Sequence, residues 1–158
     1  MKRTATVLLS VLMVIAATYP TGSAFAQDVG AAPTFGTLNL SAGFQPDPTV
    51  VGLAAGGSIS AGAISGCRGY IANSPDVRLY YTSGSLPLII SVDAASDTTL
   101  VVNAPNGSWY CDDDSGEGTN PSLTFGSPLS GRYEIWVGTY GSASVASANL
   151  YISELYSQ

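Results

Sequence analysis

The sequence predicts an all-β protein, a single antiparallel β-sandwich with jelly-roll-like connectivity. Three observations carry that expectation. Beyond residue 26 no stretch shows apolar residues at helical spacing. Short alternating runs rich in Val, Ile, Thr and Tyr recur about every eight to twelve residues. Turn residues separate them, and 17 of the 18 glycines lie beyond residue 26.

The first 26 residues stand apart. Lys2 and Arg3 precede an apolar run, Val7 to Ala17, and Ala24-Phe25-Ala26 has the small-x-small pattern of a leader cleavage site. The run is short for a membrane span, which takes roughly 20 apolar residues. Residues 1–26 are therefore read as a signal peptide cut before Gln27. The mature protein is expected to be secreted or periplasmic, with no membrane span. Residues 27–33, small and polar, are expected to form a flexible N-terminus. Residues 34–158 are expected to form one sandwich domain, a size that can bury a proper core.

The strands follow in order. TFGTLNL, residues 34–40, places Leu38 and Leu40 on one face. Gln45-Pro46-Asp47-Pro48 is a turn or kink, since two prolines forbid regular pairing. Residues 49–55 and 58–64 are strand candidates split by Gly56-Gly57. Ser74-Pro75-Asp76 turns the chain into 77–82, where Val77, Leu79 and Tyr81 share a side. Residues 86–92 follow a short Ser-Gly-Ser link, so the two runs read as a hairpin. Residues 98–103 lead into Ala104-Pro105-Asn106-Gly107, with the chemistry of a tight turn. Residues 108–111 return to an acidic loop, and 121–125 form the next strand. In RYEIWVG, residues 132–138, Tyr133, Ile135 and Val137 face one way and Arg132, Glu134 and Trp136 the other. Residues 149–155 close the fold with Leu150 and Ile152 inward.

Charge and residue types narrow the chemistry. Residues 27–158 hold three arginines against eleven acids, hence a net charge of −8, with no lysine and no histidine. Isolated arginines on so acidic a chain leave no footprint for nucleic acid. Without histidine or lysine there is no Ser-His-Asp, Cys-His or Ser-Lys nucleophile, and no histidine-ligated zinc. A glycosidase-like carboxylate pair remains on paper, but Glu134 reads more simply as paired with Arg132 or as solvated. No catalytic residue is assigned. In an exported chain the two cysteines, Cys67 and Cys111, read as one structural disulfide. A ring of that size is worth about 4 kcal/mol in the chain-entropy model.

The densest feature is CDDDSGEGTN, residues 111–120, with four carboxylates in six positions. Their repulsion calls for solvent or a cation. Alternation points Asp112 and Asp114 the same way, and the glycines let Glu117 or Asn120 curl back toward them. Asp97, opening the neighbouring strand, is a further candidate. Oxygen-only donors of this kind suit Ca2+, although the spacing is not that of an EF-hand; a solvated acidic turn is the alternative. The rings of Trp136, Tyr151 and Trp109 form a second candidate site, for stacking on sugars.

The run from Asp97 to Tyr140 resembles the bacterial pre-peptidase C-terminal domain family. It has an Asp-led strand, a Pro-Asn-Gly turn, the Asp-Asp-Asp loop, and Ser-Gly-Arg-Tyr-Glu-Ile-Trp-Val-Gly, followed by a closing Leu-Tyr-Ile-Ser strand. The likeness covers most of residues 77–155. It implies a small β-sandwich with calcium ligands at Asp112 and Asp114, and at Asp97 and Asn120 with less support. The family's domains are appended to exported hydrolases, whereas here the domain is expected to stand alone behind the leader. The expected function is an exported, non-catalytic, calcium-stabilised protein with a binding or structural role. Its partner would be a protein or a glycan, and a carbohydrate-binding module is the alternative.

Overall fold

The computed structural model describes residues 27–158, so the expected signal peptide lies outside the described residues. The described residues are all-β, with two sheets packed face to face. Its strands are β1 (Thr37–Ser41), β2 (Thr49–Ala55), β3 (Ile59–Ser60), β4 (Tyr70–Ile71), β5 (Val77–Thr82), β6 (Leu88–Ala94), β7 (Thr98–Asn103), β8 (Trp109–Asp112), β9 (Ser122–Phe125), β10 (Gly131–Thr139) and β11 (Ala146–Ser153). One sheet has seven strands and is built around β10. The other has four, in the order β2-β11-β6-β9.

The alternation in β10 sets the architecture. Tyr133, Ile135 and Val137 enter the main core between the sheets, where they meet Leu79 of β5, Leu100 of β7, Ile90 of β6 and Leu150 of β11. Glu134 and Trp136 point to the opposite side and are buried there too. A strand covered on both faces needs a second layer, and the chain supplies it from residues 59–71. Ala61, Ile64, Cys67 and Ile71 pack with Trp136 and Val101, and Val29, Trp109 and Cys111 lie against them. The residues expected as a strand at 58–64 pair only at Ile59–Ser60. They then enter a 3-10 turn, Ala61–Ala63, where the Ser60 hydroxyl accepts from the Gly62 N–H. A run of Ala, Gly and Ser has little to hold it in a ladder, and the disulfide layer needs it bent.

Three other expectations change. β5 and β6 do not form a hairpin: β5 belongs to the seven-stranded sheet and β6 to the four-stranded one. Residues 83–87 carry the chain across the sandwich, so Leu79 and Ile90 meet from opposite sheets. Pro87, without an N–H, suits such a crossing better than a ladder. The pairing is not antiparallel throughout, because β1 runs parallel to β5. The long connection between them allows it. Residues 27–33 do not hang loose either. The Asp28 N–H donates to the Asn73 carbonyl at 2.9 Å. Arg78 Nη2 donates to the carbonyls of Val29 (3.3 Å) and Ala31 (2.8 Å).

One edge of β10 is shared. Residues 131–135 pair with β5, and Thr139 pairs with Tyr70 of β4. Val137 falls in the gap between them. Its N–H donates to Asp76 Oδ2 at 2.7 Å, and its carbonyl accepts from the Gly56 N–H at 2.9 Å. The side chain of Asp76 thus replaces a missing strand. Asp76 is 2% exposed. Burial pushes its carboxyl up from an ordinary 3.8 to about 7, against the lowering effect of the Val137 N–H. Just beyond, β4 crosses so close that a Cβ on Gly138 would stand 2.7 Å from the methyl carbons of Ile71 and Thr99.

Candidate functional site

The acidic loop lies at the end of the sandwich where three connections meet: residues 95–97, 113–121 and 140–145. They are laced together. The Thr98 N–H donates to the Thr119 carbonyl, and the Tyr140 N–H to the Asp97 carbonyl. The disulfide Cys67–Cys111, as expected from the sequence, joins the outer layer to β8 with 5.2 Å between Cα atoms. It delivers Arg68 to the loop, where Nη1 stands 4.0 Å from Asp113 Oδ2. A hydrogen bond to Tyr140, then the charges of Tyr140, Asp113 and Asp114, hold the exposed Arg68 guanidinium above its ordinary pKa. Desolvation, then Asp114 and Asp113, raise the carboxyl of Asp97. Asp97, Asp113 and Asp114 therefore share one electrostatic environment. Asp114 and Glu117 are exposed, as are Tyr140 and Val145 on the adjoining loop.

The five expected metal ligands do not converge. Asp112 is spent on the loop itself: Oδ1 accepts from the Ser115 hydroxyl (2.7 Å), and Oδ2 from the N–H groups of Ser115 (2.9 Å) and Ser122 (2.8 Å). Asn120 is buried. Its Oδ1 accepts from the Thr98 hydroxyl at 2.8 Å and its Nδ2 donates to the Ala94 carbonyl at 3.0 Å, tying the two sheets together. Glu117 belongs to a closed turn: its N–H donates to the Gln158 carbonyl and its carbonyl accepts from the Asn120 N–H. Among the described residues no three acidic side chains gather at ligating distance. The groups that engage Asp112 and Asn120 differ: the N–H groups of Ser115 and Ser122 and the Ser115 hydroxyl take Asp112, whereas the Thr98 hydroxyl and the Ala94 carbonyl take Asn120.

The aromatic platform does not form. Trp136 is fully buried under the disulfide layer, so its ring cannot stack on a ligand. Trp109 is half-buried, with its ring 5.4 Å from that of Trp136. Tyr151 is half-buried on the outer side of the other sheet, paired with Val50 and Ser91. The three rings thus share no surface.

The concave places lie elsewhere. Beyond the disulfide layer, the outer face of the seven-stranded sheet is open. A groove of about 440 Å3 is lined by Asn39, Ser41, Tyr80, Thr82, Ser130 and Gly131 among others. A second, of about 320 Å3, runs beside Asn103, Pro105, Gly107 and Arg132. Neither is lined by an acid. Glu134 is held beneath this face, accepting from Arg78 Nε at 2.6 Å, with Arg132 Nε at 3.1 Å. The Arg132–Glu134 ion pair is thus as the sequence suggested, and Arg78 is the stronger partner.

Sequence reasoning missed Arg68, Asp113 and Tyr140 as members of the acidic end. A signal for two of them was present. Arg68 follows Cys67 directly and Asp113 comes two positions after Cys111, so a Cys67–Cys111 bond brings them near each other. Tyr140 carried no such signal.

Among the described residues no helix is long and apolar enough to cross a membrane. No protein-family model matches the chain, and no curated protein does. Among solved structures, the chain is similar to PliG of Aeromonas hydrophila, a periplasmic inhibitor of g-type lysozyme. The identity is 13% and the TM-score 0.42, over 75% of this chain and 97% of that one.

Proposed function

We propose that this chain is an exported, non-catalytic binding protein that meets a cationic protein partner at its acidic end. The observation that carries the reading is how charge is distributed. Among the described residues, two of the three arginines are engaged by the buried Glu134, and the third sits among Asp113, Asp114 and Tyr140. Asp97, Asp114 and Glu117 remain exposed at one end, beside Tyr140 and Val145. Such a field steers and orients a basic partner, and tyrosine with an apolar neighbour is what interfaces favour at their centres.

Support for a non-catalytic role comes from position. The buried acids are committed to the fold: Asp76 to the Val137 N–H, Glu134 to two arginines, and Glu154 to the Tyr81 hydroxyl and the Gly43 N–H. The two grooves carry hydroxyls, amides and one arginine instead. The disulfide supports export, since such bonds persist in oxidising compartments.

The test is retention. The full chain is expressed with its own leader, purified in oxidised form and immobilised. It is then exposed to the exported protein fraction of its host at low salt. A discrete basic protein should be retained, eluted by salt, and lost with Asp97→Asn/Asp114→Asn and with Tyr140→Ala. Retention of nothing, or retention unchanged by these substitutions, would sink the proposal.

A further inference from the structure

The N-terminal segment holds an unexplained residue. Gln27 is only 5% exposed. Its side-chain Nε2 and Oε1 are both buried without a hydrogen-bond partner. The other buried side-chain polar atoms without partners among the described residues are Glu134 Oε2 and Trp136 Nε1. Both lie on the face of β10 that the segment and the disulfide layer cover. The segment is pinned there by the Asp28 N–H, by Val29 against the outer core, and by Arg78 on the carbonyls of Val29 and Ala31.

Cleavage after Ala26, the site read from the sequence, would make this residue the new N-terminus. In the structure the nitrogen of Gln27 is a neutral peptide N–H. Cleavage alone would place there an ammonium that is mostly charged at neutral pH. The adjacent Asp28 is exposed, and its Oδ1 accepts from the Gly30 N–H at 2.8 Å. A charge taken into a buried position is costly even with a carboxylate near it.

We propose that Gln27 is a modification site: after leader removal it cyclises to pyroglutamate, and this neutral lactam is the group that docks on the outer layer. The proposal rests on the export reading. The α-amine nitrogen attacks Cδ of the side-chain amide, and a new N–Cδ bond closes the pyrrolidone ring. The Cδ–Nε2 bond breaks, and Nε2 leaves as ammonia with a proton from the attacking nitrogen. Nothing is oxidised or reduced, and no co-reactant is needed. The reaction takes place before the segment docks, while the new terminus is free. It removes the terminal charge and replaces ammonium and primary amide by one lactam N–H and one carbonyl. A neutral secondary amide is thus restored at the position where the fold holds one.

The experiment uses the full chain, expressed with its own leader in an exporting bacterium and purified from the exported fraction. Intact mass and Edman degradation are read together. The expected result is the mass of oxidised residues 27–158 less one ammonia, with a blocked terminus. Pyroglutamyl peptidase should then release the first residue from unfolded protein and fail on folded protein. The full 27–158 mass with readable Gln27 would overturn the proposal while leaving export intact. A chain that keeps its leader, or starts elsewhere, would overturn the cleavage site and the proposal with it. Release from the folded protein would overturn the docked lactam.

Discussion

Replacing Asp76 by asparagine should make the stability of this protein less dependent on pH. The carboxyl of Asp76 is moved from 3.8 to about 7 by burial. The sign follows from proton counts. Between those two values the folded chain keeps a proton that the unfolded chain has released, so stability falls as pH rises. The slope from this one group is about 1.4 kcal/mol per pH unit, and the whole effect is about 4 kcal/mol. Below the interval both states are protonated, and above it both are ionised, so the curve flattens at each end. Asp76→Asn keeps a carbonyl oxygen to accept from the Val137 N–H, and it cannot ionise. Its new amide N–H groups offset about 1–3 kcal/mol of the relief. The variant should therefore be more stable than the parent by about 1–3 kcal/mol at about pH 8, and no more stable at about pH 4. Urea unfolding of both chains across this range is the assay. The raised carboxyls of Glu134 and Asp97 act in the same direction in both chains, so the difference curve isolates Asp76. Two parallel stability profiles would refute the reasoning. Asp76→Ala is the control: it leaves the Val137 N–H unpaired and should be less stable than the parent by about 1–3 kcal/mol at about pH 4, where Asp76 is protonated in both states.

The remaining predictions concern the loop and the outer layer. Asp112→Ala removes three accepted hydrogen bonds and should lower stability by about 1–3 kcal/mol. Thermal melts should show the same loss in calcium and in chelator; a loss confined to the calcium sample would restore Asp112 as a metal ligand. Cys67→Ser/Cys111→Ser should cost about 4 kcal/mol and shift tryptophan emission to the red as the cover over Trp136 loosens. An unchanged melt would show that the outer layer holds without the bond. Trp136→Ala should cost about 3–5 kcal/mol, with partner retention per folded molecule unchanged. Lost retention with an intact melt would mean that the ring is a contact and not core.

What the sequence made legible was whatever depends on neighbours along the chain. Residues 49–55, 77–82 and 98–103 are strands with the ends expected for them, because β-branched and aromatic runs there stop at Gly, Pro or Asn. The alternation in β10 assigned both faces correctly, Trp136 included. It could not say that Trp136 is covered, because the cover arrives from residues 59–71, a run of small residues with two short strands and no periodic pattern. The same limit produced the misread hairpin. Ser83-Gly84-Ser85 looks like a turn, yet only the far partners of β5 and β6 decide whether the chain folds back or crosses the sandwich. At the acidic end, composition located the charge but not its use. That Asp112 serves the N–H groups of Ser115 and Ser122 depends on a loop conformation that spacing does not specify. Asp76 read as one residue of a Ser-Pro-Asp turn, and nothing local says that β10 needs an acceptor there.

The ring closed by Cys67 and Cys111 also fixes how the molecule would behave under tension. Between those residues lie all of β4, β5, β6 and β7, drawn from both sheets. A pull on the two chain ends can peel away the strands outside the ring, but it cannot extend the segment within. With the two cysteines 44 positions apart in sequence, about 150 Å of contour length stays hidden until the bond is reduced. Stretched in an oxidising medium, the protein would therefore come to a short stop, and a thiol would change its reach more than its sequence suggests.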